Sequence, residues 1–384
     1  MRTALVVSHS FLERDPRVRR AVQALLDDGW TVEGLFLDPP IRNDRIRTWR
    51  VPVARRRGST VRYLFEYGSF FLAMFVWVLA RGVLRKVDVV YVNSPPDALA
   101  IAALPAKLRG ATIILDVHDP MPELLDAKGR GSTVIATLLE WQERAGSVAA
   151  DRLITVHEPL RDLLLTRSPN ATYDIVMNVP NTEGWLPLER VASSRTLVFA
   201  GSVAVRYGLD DVIAAMERTP EIADLRLRII GEGEDVELLA ALADEAGVAS
   251  RVEFVGRVPY EEVRRAQDGA WVGVNLPKPD QLGDLSFSNK IVEWVALGLP
   301  VIASRTPTLL RYFPEDTLFY ANAADPGSIA EILRVLDGMD EDHIAARTEA
   351  AQAALAKIAW PVQREALLAV VNGPTASGVS PDAR

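Results

Sequence analysis

Short runs of aliphatic and β-branched residues alternate with helix-length segments along almost the whole chain, and the alternation runs through twice. A strand–helix–strand rhythm means a parallel sheet with helices on both faces, because parallel neighbours need a crossover long enough to hold a helix. In the first pass, strands are predicted at Ala4–Ser8, Thr31–Leu37, Val87–Val92, Thr112–Val117 and Arg152–Val156. Helices are predicted over Asp15–Asp28, 62–84, 97–108 and 132–148, the first from the helical spacing of Val18, Val22, Leu25 and Leu26. The rhythm lapses around 180–194, where Pro, Asn and Gly gather as in a linker. It restarts with strands at Thr196–Ala200, Leu225–Ile230, Val252–Val255, Trp271–Leu276 and Val301–Ser304. Helices fall at Gly208–Met216, Glu234–Ala246, Tyr260–Gln267, Lys290–Leu297, Ser328–Leu336 and 341–358, and a last amphipathic one runs from Trp360 through Val371. The tail from Gly373 is small and polar, as in a disordered segment.

Length agrees with two sheets. A chain of 384 residues exceeds one comfortable core and suggests two domains of roughly 150–200 residues. The expected division is 1–183, with helix 359–372 packing back on it, then 195–358 and a tail at 373–384. Two doubly wound domains place a cleft at the carboxyl ends of both sheets, where ligands bind in open α/β folds.

Composition removes several classes. The chain has no cysteine, which excludes a disulfide framework and thiolate metal sites. His9, His118, His157 and His343 form no zinc-like pair. A net charge of −8 argues against nucleic acid as a partner. The N-terminus lacks the pattern of a signal peptide and reads as a buried strand, so a cytoplasmic location is expected. The thirteen-residue stretch at 68–80, the most apolar of the chain, falls short of the roughly 20 that a bilayer span needs. Neither half shows G-x-G-x-x-G after its first strand, which disfavours a simple oxidoreductase.

The most informative segment is Asp284–Ser304, DLSFSNKIVEWVALGLPVIAS. Asn289-Lys290 opens a helix, and Lys290 and Glu293 are three apart, so they share its N-terminal face. Free N–H groups, the dipole and a lysine suit a diphosphate there, and a carboxylate one turn in can hold a ribose diol. An ordinary surface ion pair would have the same spacing.

This segment resembles the signature of GT-B fold glycosyltransferases, specifically the retaining family 4 (glycosyl transferases group 1). Three other segments resemble the same family in the expected order: residues 8–32, SHSFLERDPRVRRAVQALLDDGWTV, which are similar to a bacterial polysaccharide-type subgroup; 115–123, LDVHDPMPE; and 199–209, FAGSVAVRYGL. The resemblance implies an α/β GT-B fold with a C-terminal crossover helix. It implies a nucleotide diphosphate sugar, of UDP or GDP type, as co-substrate with no further cofactor. Gly201 and Ser202 would approach the donor phosphates, Arg206 and Lys290 would neutralise the leaving diphosphate, and Glu293 would bind the ribose. Gly231, Glu232, Gly233, Arg257 and Val258 would sit near the base, with Asp284, Ser288 and Asn289 completing the donor side. His118 would face the transferred sugar, and Ser10, Asp15, Arg17 and Asp119 would line the acceptor side. The family's usual Glu eight residues before the ribose-binding one is Leu285 here, next to Asp284.

No D-x-D-like metal motif stands in a suitable place, so the reaction is expected to be metal-independent, and Asp210-Asp211 reads as a solvated helix face. The acceptor is a glycan, a lipid-linked sugar or a small molecule. Residues 42–62 carry eight arginines and one aspartate beside the apolar 63–80 segment. Such a pairing can dock a protein peripherally on an anionic membrane, and a solvated loop over a core helix has the same composition. A phosphorylase, a nucleotide-sugar epimerase or a non-catalytic nucleotide-sugar binder would share these features.

Overall fold

The computed structural model describes residues 2–53, 60–127, 133–189, 194–279 and 281–373. The arginines at 55–57, the end of the expected linker at 190–193 and the tail beyond 373 lie outside the described residues. The chain forms two compact units, Met1–Asn178 with the segment from Pro361 onward, and Val179–Trp360.

The first unit runs β1 (Thr3–Ser8), α1 (Pro16–Asp27), β2 (Thr31–Phe36), β3 (Ile46–Arg50), α2 (Thr60–Leu84), β4 (Val89–Asn93), α3 (Leu99–Ala102), α4 (Leu104–Lys107), β5 (Thr112–Val117), α5 (Met121–Ala127), α6 (Thr133–Ala149), β6 (Arg152–Thr155), α7 (Glu158–Arg167) and β7 (Tyr173–Ile175). Its sheet has the order β3-β2-β1-β4-β5-β6-β7, with every pairing parallel. Alternate residues of the central strands, Leu5, Val7, Val90 and Val92, pack on one face against Phe70, Met74 and Val78 of α2. The strands are therefore apolar throughout, as a sheet covered on both sides requires.

The second unit runs β8 (Arg195–Ala200), α8 (Leu209–Glu217), β9 (Leu225–Ile230), α9 (Val236–Glu245), β10 (Val252–Gly256), α10 (Tyr260–Val263), β11 (Val272–Asn275), α11 (Gln281–Asp284), α12 (Asn289–Ala296), β12 (Val301–Ser304), α13 (Pro307–Tyr312), β13 (Phe319–Ala321), α14 (Pro326–Asp337) and α15 (Glu341–Ala356). Its sheet has the parallel order β10-β9-β8-β11-β12-β13. The final helix, α16 (Trp360–Asn372), belongs with the first unit. Gln363 accepts from the Met177 amide at 2.8 Å. Arg152 donates to the carbonyls of Val370 and, at 2.7 Å, Gly373.

The doubly wound architecture expected from the alternation is the one the chain adopts. Two local readings differ. The basic stretch contains strand β3, because Ile46 and Thr48 point inward while Arg47 and Arg50 point out; the charge masked a period of two. The helix expected over 97–108 breaks into α3 and α4 at Ala103, ahead of Pro105, which has no N–H to continue the ladder. His157 caps α7 through a hydrogen bond that its Nδ1 accepts from the Leu160 amide at 3.1 Å.

Candidate functional site

In the second unit, the carboxyl ends of three adjacent strands are laced together by glycines. After β8, Gly201 donates to the Ile230 carbonyl at 2.8 Å, and Val203 donates to the Glu232 carbonyl at 2.9 Å. After β9, Gly231 donates to the carbonyl of Gly256, the end of β10, at 2.8 Å. Gly201 and Gly231 hold φ of 146° and 141°, a region that residues with a Cβ avoid. A Cβ on Gly231 would also collide with the Gly201 carbonyl, so only glycine allows the two turns to close this far. Ser202, Glu232 and Gly233 are exposed on this surface, as is Arg257, with Val258 half-buried beside it.

Lys290 lies directly on the first of these turns, at Gly201. Its Nζ stands 5.2 Å from the Phe199 ring centroid and 4.7 Å from that of Tyr207. Its side chain passes so close to Gly201 that a Cβ there would overlap it. Burial, reinforced by Arg206 and opposed by Glu293, pulls the ammonium pKa below the usual lysine range. The Arg206 guanidinium stacks 4.7 Å from the other ring contact, Tyr207, and donates to its hydroxyl at 2.6 Å. Tyr207 thus stands between two cations, a role that its sequence neighbourhood did not signal.

Helix α12 fixes this geometry from below. Ile291, Val292, Trp294 and Val295 are buried, which leaves Lys290 and Glu293 on the open side. The Trp294 ring sits over Gly273 of β11, where any Cβ would strike it, and its Nε1 donates to Gln267 at 2.6 Å. Ser288 is the N-cap position, and its hydroxyl donates to Asn275 at 3.3 Å. The Asn289 side-chain oxygen is buried with no hydrogen-bond partner among the described residues. Asp284 is exposed, and Leu285 is half-buried. Asp210 and Asp211 are not a solvated face: Lys278 reaches them at 2.5 and 3.8 Å, and burial raises the Asp211 pKa.

The first unit carries a polar cavity of about 190 Å³ at the carboxyl ends of its own central strands. Ser8, His9 and Ser10 enter from the end of β1, Asp15 from the cap of α1, and His118 and Asp119 from the end of β5. His118 Nδ1 is buried without a hydrogen-bond partner among the described residues. Its Nε2 is 4.0 Å from Asp119. Asp15 also accepts from the Val18 amide at 3.2 Å, so it starts α1 as well as lining the cavity. Residues from outside the recognised segments complete the wall: Tyr67 of α2, its ring tilted 4.7 Å from the His9 ring, Ser94 and Pro95 after β4, and Leu124 and Leu125 of α5.

Arg17 is placed differently from its expected acceptor-side position. It is buried and grips Asp116 with two hydrogen bonds, of 2.8 and 2.6 Å, while Tyr91 donates to the same carboxylate at 2.7 Å. The guanidinium also donates to the Val176 carbonyl at 3.0 Å, and Arg17 is not among the residues that line the cavity. Behind the cavity, Arg167 joins Glu123 and Glu143 at 2.5 and 2.6 Å, and Asp97 is held by Ser94. Burial lifts the Asp97 carboxyl to about 6 and the Glu143 carboxyl to about 8.

Comparison with known proteins agrees with this assembly. Residues 194–337 match the family model "Glycosyl transferases group 1", and residues 15–178 match "Glycosyl transferase 4-like domain". A 2-deoxystreptamine N-acetyl-D-glucosaminyltransferase from Streptomyces fradiae is 24% identical over 292 residues, 69% of each chain. Among solved structures, sucrose-phosphate synthase from Thermosynechococcus elongatus superposes with a TM-score of 0.77 at 16% identity, covering 97% of this chain and 98% of that one. HepE of Anabaena in complex with UDP-glucose superposes with a TM-score of 0.70 at 12% identity, covering 97% and 100%. With both halves matched by models of one enzyme group and the whole chain sharing its architecture, this chain belongs to the GT-B fold glycosyltransferases of the group 1, family 4 type.

Proposed function

We propose that this protein transfers a sugar from a nucleoside diphosphate sugar to an acceptor hydroxyl with retention of anomeric configuration and without a metal, in glycan, glycolipid or glycosylated natural-product synthesis. The observation that carries the reading is the Lys290 ammonium resting on the Gly201 turn after β8, at the start of α12. Breaking a sugar–phosphate bond builds negative charge on the diphosphate and positive charge on the ring. Fixed cations at the first stabilise that transition state most when they are partly desolvated, as Lys290 is. Arg206 adds a second cation on the exposed side, and the Gly201 and Gly231 turns let phosphate oxygens approach the backbone. Glu293 takes the ribose diol. Asp284 or the amides of 285–289 substitute for the carboxylate that Leu285 replaces.

The acceptor occupies the first unit's cavity, and His118 meets the transferred sugar. No side chain is assigned as a covalent nucleophile. The acceptor oxygen bonds to the anomeric carbon on the face from which the diphosphate departs, and the acceptor proton leaves with the diphosphate. A UDP-type donor is favoured, since HepE, of the same fold, binds UDP and UDP-glucose. Residues 42–80 provide a peripheral contact with a membrane surface.

A thermal-shift series with UDP, GDP, ADP and dTDP, each with magnesium and with a chelator, tests the donor reading. One nucleotide should raise the melting temperature equally in both conditions. Stabilisation that appears only with magnesium would overturn the metal-independent step, and none by any nucleotide would return the chain to a different chemistry on this fold.

A further inference from the structure

Helix α6 leaves an apolar stripe exposed. Val134, Leu138, Trp141 and Val148 fall at spacings of four, three and seven, which is one stripe of a helix, and all four are exposed, Trp141 by 61%. The opposite face turns polar and small residues inward: Glu143 to Arg167, Ser147 to the Tyr173 hydroxyl at 3.0 Å, and Gly146 against the backbone of Asp97. Ile135, Leu139 and Ala149 are also partly or fully buried, so α6 carries apolar side chains on both faces, and the outer stripe is the one its own unit leaves uncovered. The same layer repeats the feature. Helix α6 packs beside α3, and α3 and α4 pack beside α2, all on one face of the sheet. On α2, Phe65, Leu72, Val76 and Leu79 are exposed; on α4 and just past it, Leu104 and Leu108 are too, Leu108 by 87%. An apolar groove joins α2 to α4 and is bordered by Arg109. Large apolar side chains exposed on three helices of one layer are more than singly scattered surface residues and mark an interaction surface.

Charge decides what covers it. Residues 1–178 hold 24 Lys and Arg against 20 Asp and Glu, whereas residues 179–360 hold 17 against 29. The unit that carries the apolar face is therefore the cationic part of an anionic protein. Arg42, Arg45, Arg47 and Arg50 are exposed on and before β3, which meets α2 through the Trp49–Trp77 contact at 5.4 Å. Arg85 and Lys86 are exposed at the end of α2. A second copy would bring these basic rims against their own like charge, and an anionic bilayer would not. Among the described residues, no helix is long and apolar enough to cross a membrane, so contact on this face is interfacial.

We infer that α2, α4 and α6 together form a platform that seats the first unit on an anionic lipid surface, with Trp141 and Leu138 of α6 as anchors in addition to the 42–80 region. The inference builds on the proposed membrane contact of residues 42–80 and does not depend on the donor chemistry. The experiment is co-sedimentation of the full chain with vesicles of phosphatidylcholine alone and of phosphatidylcholine mixed with phosphatidylglycerol. Two double variants accompany the wild type, Leu138→Ser/Trp141→Ser on α6 and Leu72→Ser/Val76→Ser on α2. All four side chains are exposed, and circular dichroism melting checks that both variants fold. The wild type should partition onto mixed vesicles and much less onto neutral ones. Each variant should lose at least tenfold in partitioning while binding nucleotide as the wild type does. An α6 variant that partitions normally beside a defective α2 variant would overturn the platform and leave the narrower 42–80 contact standing. A wild type that ignores both vesicles overturns both readings. If it instead forms a dimer that the same substitutions dissolve, the face belongs to a second copy.

Discussion

Replacing Gly201 by alanine perturbs the donor-side arrangement without removing any charge. Gly201 holds φ 146°. A Cβ on it would stand 3.1 Å from the Lys290 ammonium and closer still to the carbon that bears it. Two costs follow. Backbone strain in that region amounts to about 1–3 kcal/mol and should appear as a lower melting temperature of the second unit. The other cost falls on Lys290, whose side chain must move by about 1 Å, a displacement that costs on the order of 100-fold where groups must be aligned. A hydrogen bond from a charged donor contributes about 1.5–3 kcal/mol, or roughly 10- to 150-fold in affinity. Gly201→Ala should therefore weaken UDP binding at least tenfold, close to the loss from Lys290→Ala. Isothermal titration calorimetry on the wild type, both single variants and the double variant reads this directly. Alanine at 290 vacates the contested space, so Gly201→Ala should add little in that background, and the cycle should show a coupling above about 1 kcal/mol. Strictly additive losses, or a folded Gly201→Ala protein with unchanged affinity, would refute the placement of the ammonium at the phosphates.

The remaining expectations concern the first unit. His118→Ala should lower turnover by about 10²–10³-fold, the size of a lost transition-state contact, while calorimetry shows unchanged nucleotide affinity. Arg17→Met should destabilise the first unit by about 3–5 kcal/mol by stranding the buried Asp116 carboxylate, read as a shifted urea midpoint with nucleotide affinity retained. Burial raises Glu143 from 4.5 to about 8, so the native state keeps a proton that the unfolded chain releases. Stability should then fall as pH rises through that window, and Glu143→Gln should flatten the slope in melting curves taken across it.

Much of the proposed donor side is legible because it is local. Lys290 and Glu293 announce themselves by helical spacing, and the buried face of α12 needs only its own apolar residues to be seen. The lacing of Gly201 to Gly231 was not legible, because it joins residues from two strands whose adjacency only the sheet order supplies. Tyr67 was hidden for a similar reason: α2 reads as an apolar core helix, and nothing nearby says that one of its residues reaches the histidines after β1 and β5. Arg17 shows the same limit. Its place in a recognised segment implied an acceptor-side position, while the carboxylate that it pairs with, Asp116, lies 99 residues on. The exposed stripe of α6 was also out of reach, since an apolar stripe at helical spacing looks the same whether it faces a core or the outside.

The return of α16 to the first unit sets an order of assembly. Gln363 holds the Met177 amide, Asn372 accepts from Arg2 at 2.6 Å, and Arg152 holds the last carbonyls of the helix. On a ribosome, the strands of the first unit emerge early, but these contacts wait until all of the second unit has been made. The second unit, continuous in sequence, can close on itself as it emerges. The first must persist through that interval with one seam open and Leu367 and Val371 still absent from its surface. The half of the molecule that starts first is thus the half that finishes last, and its exposed seam is where a holding chaperone would be needed.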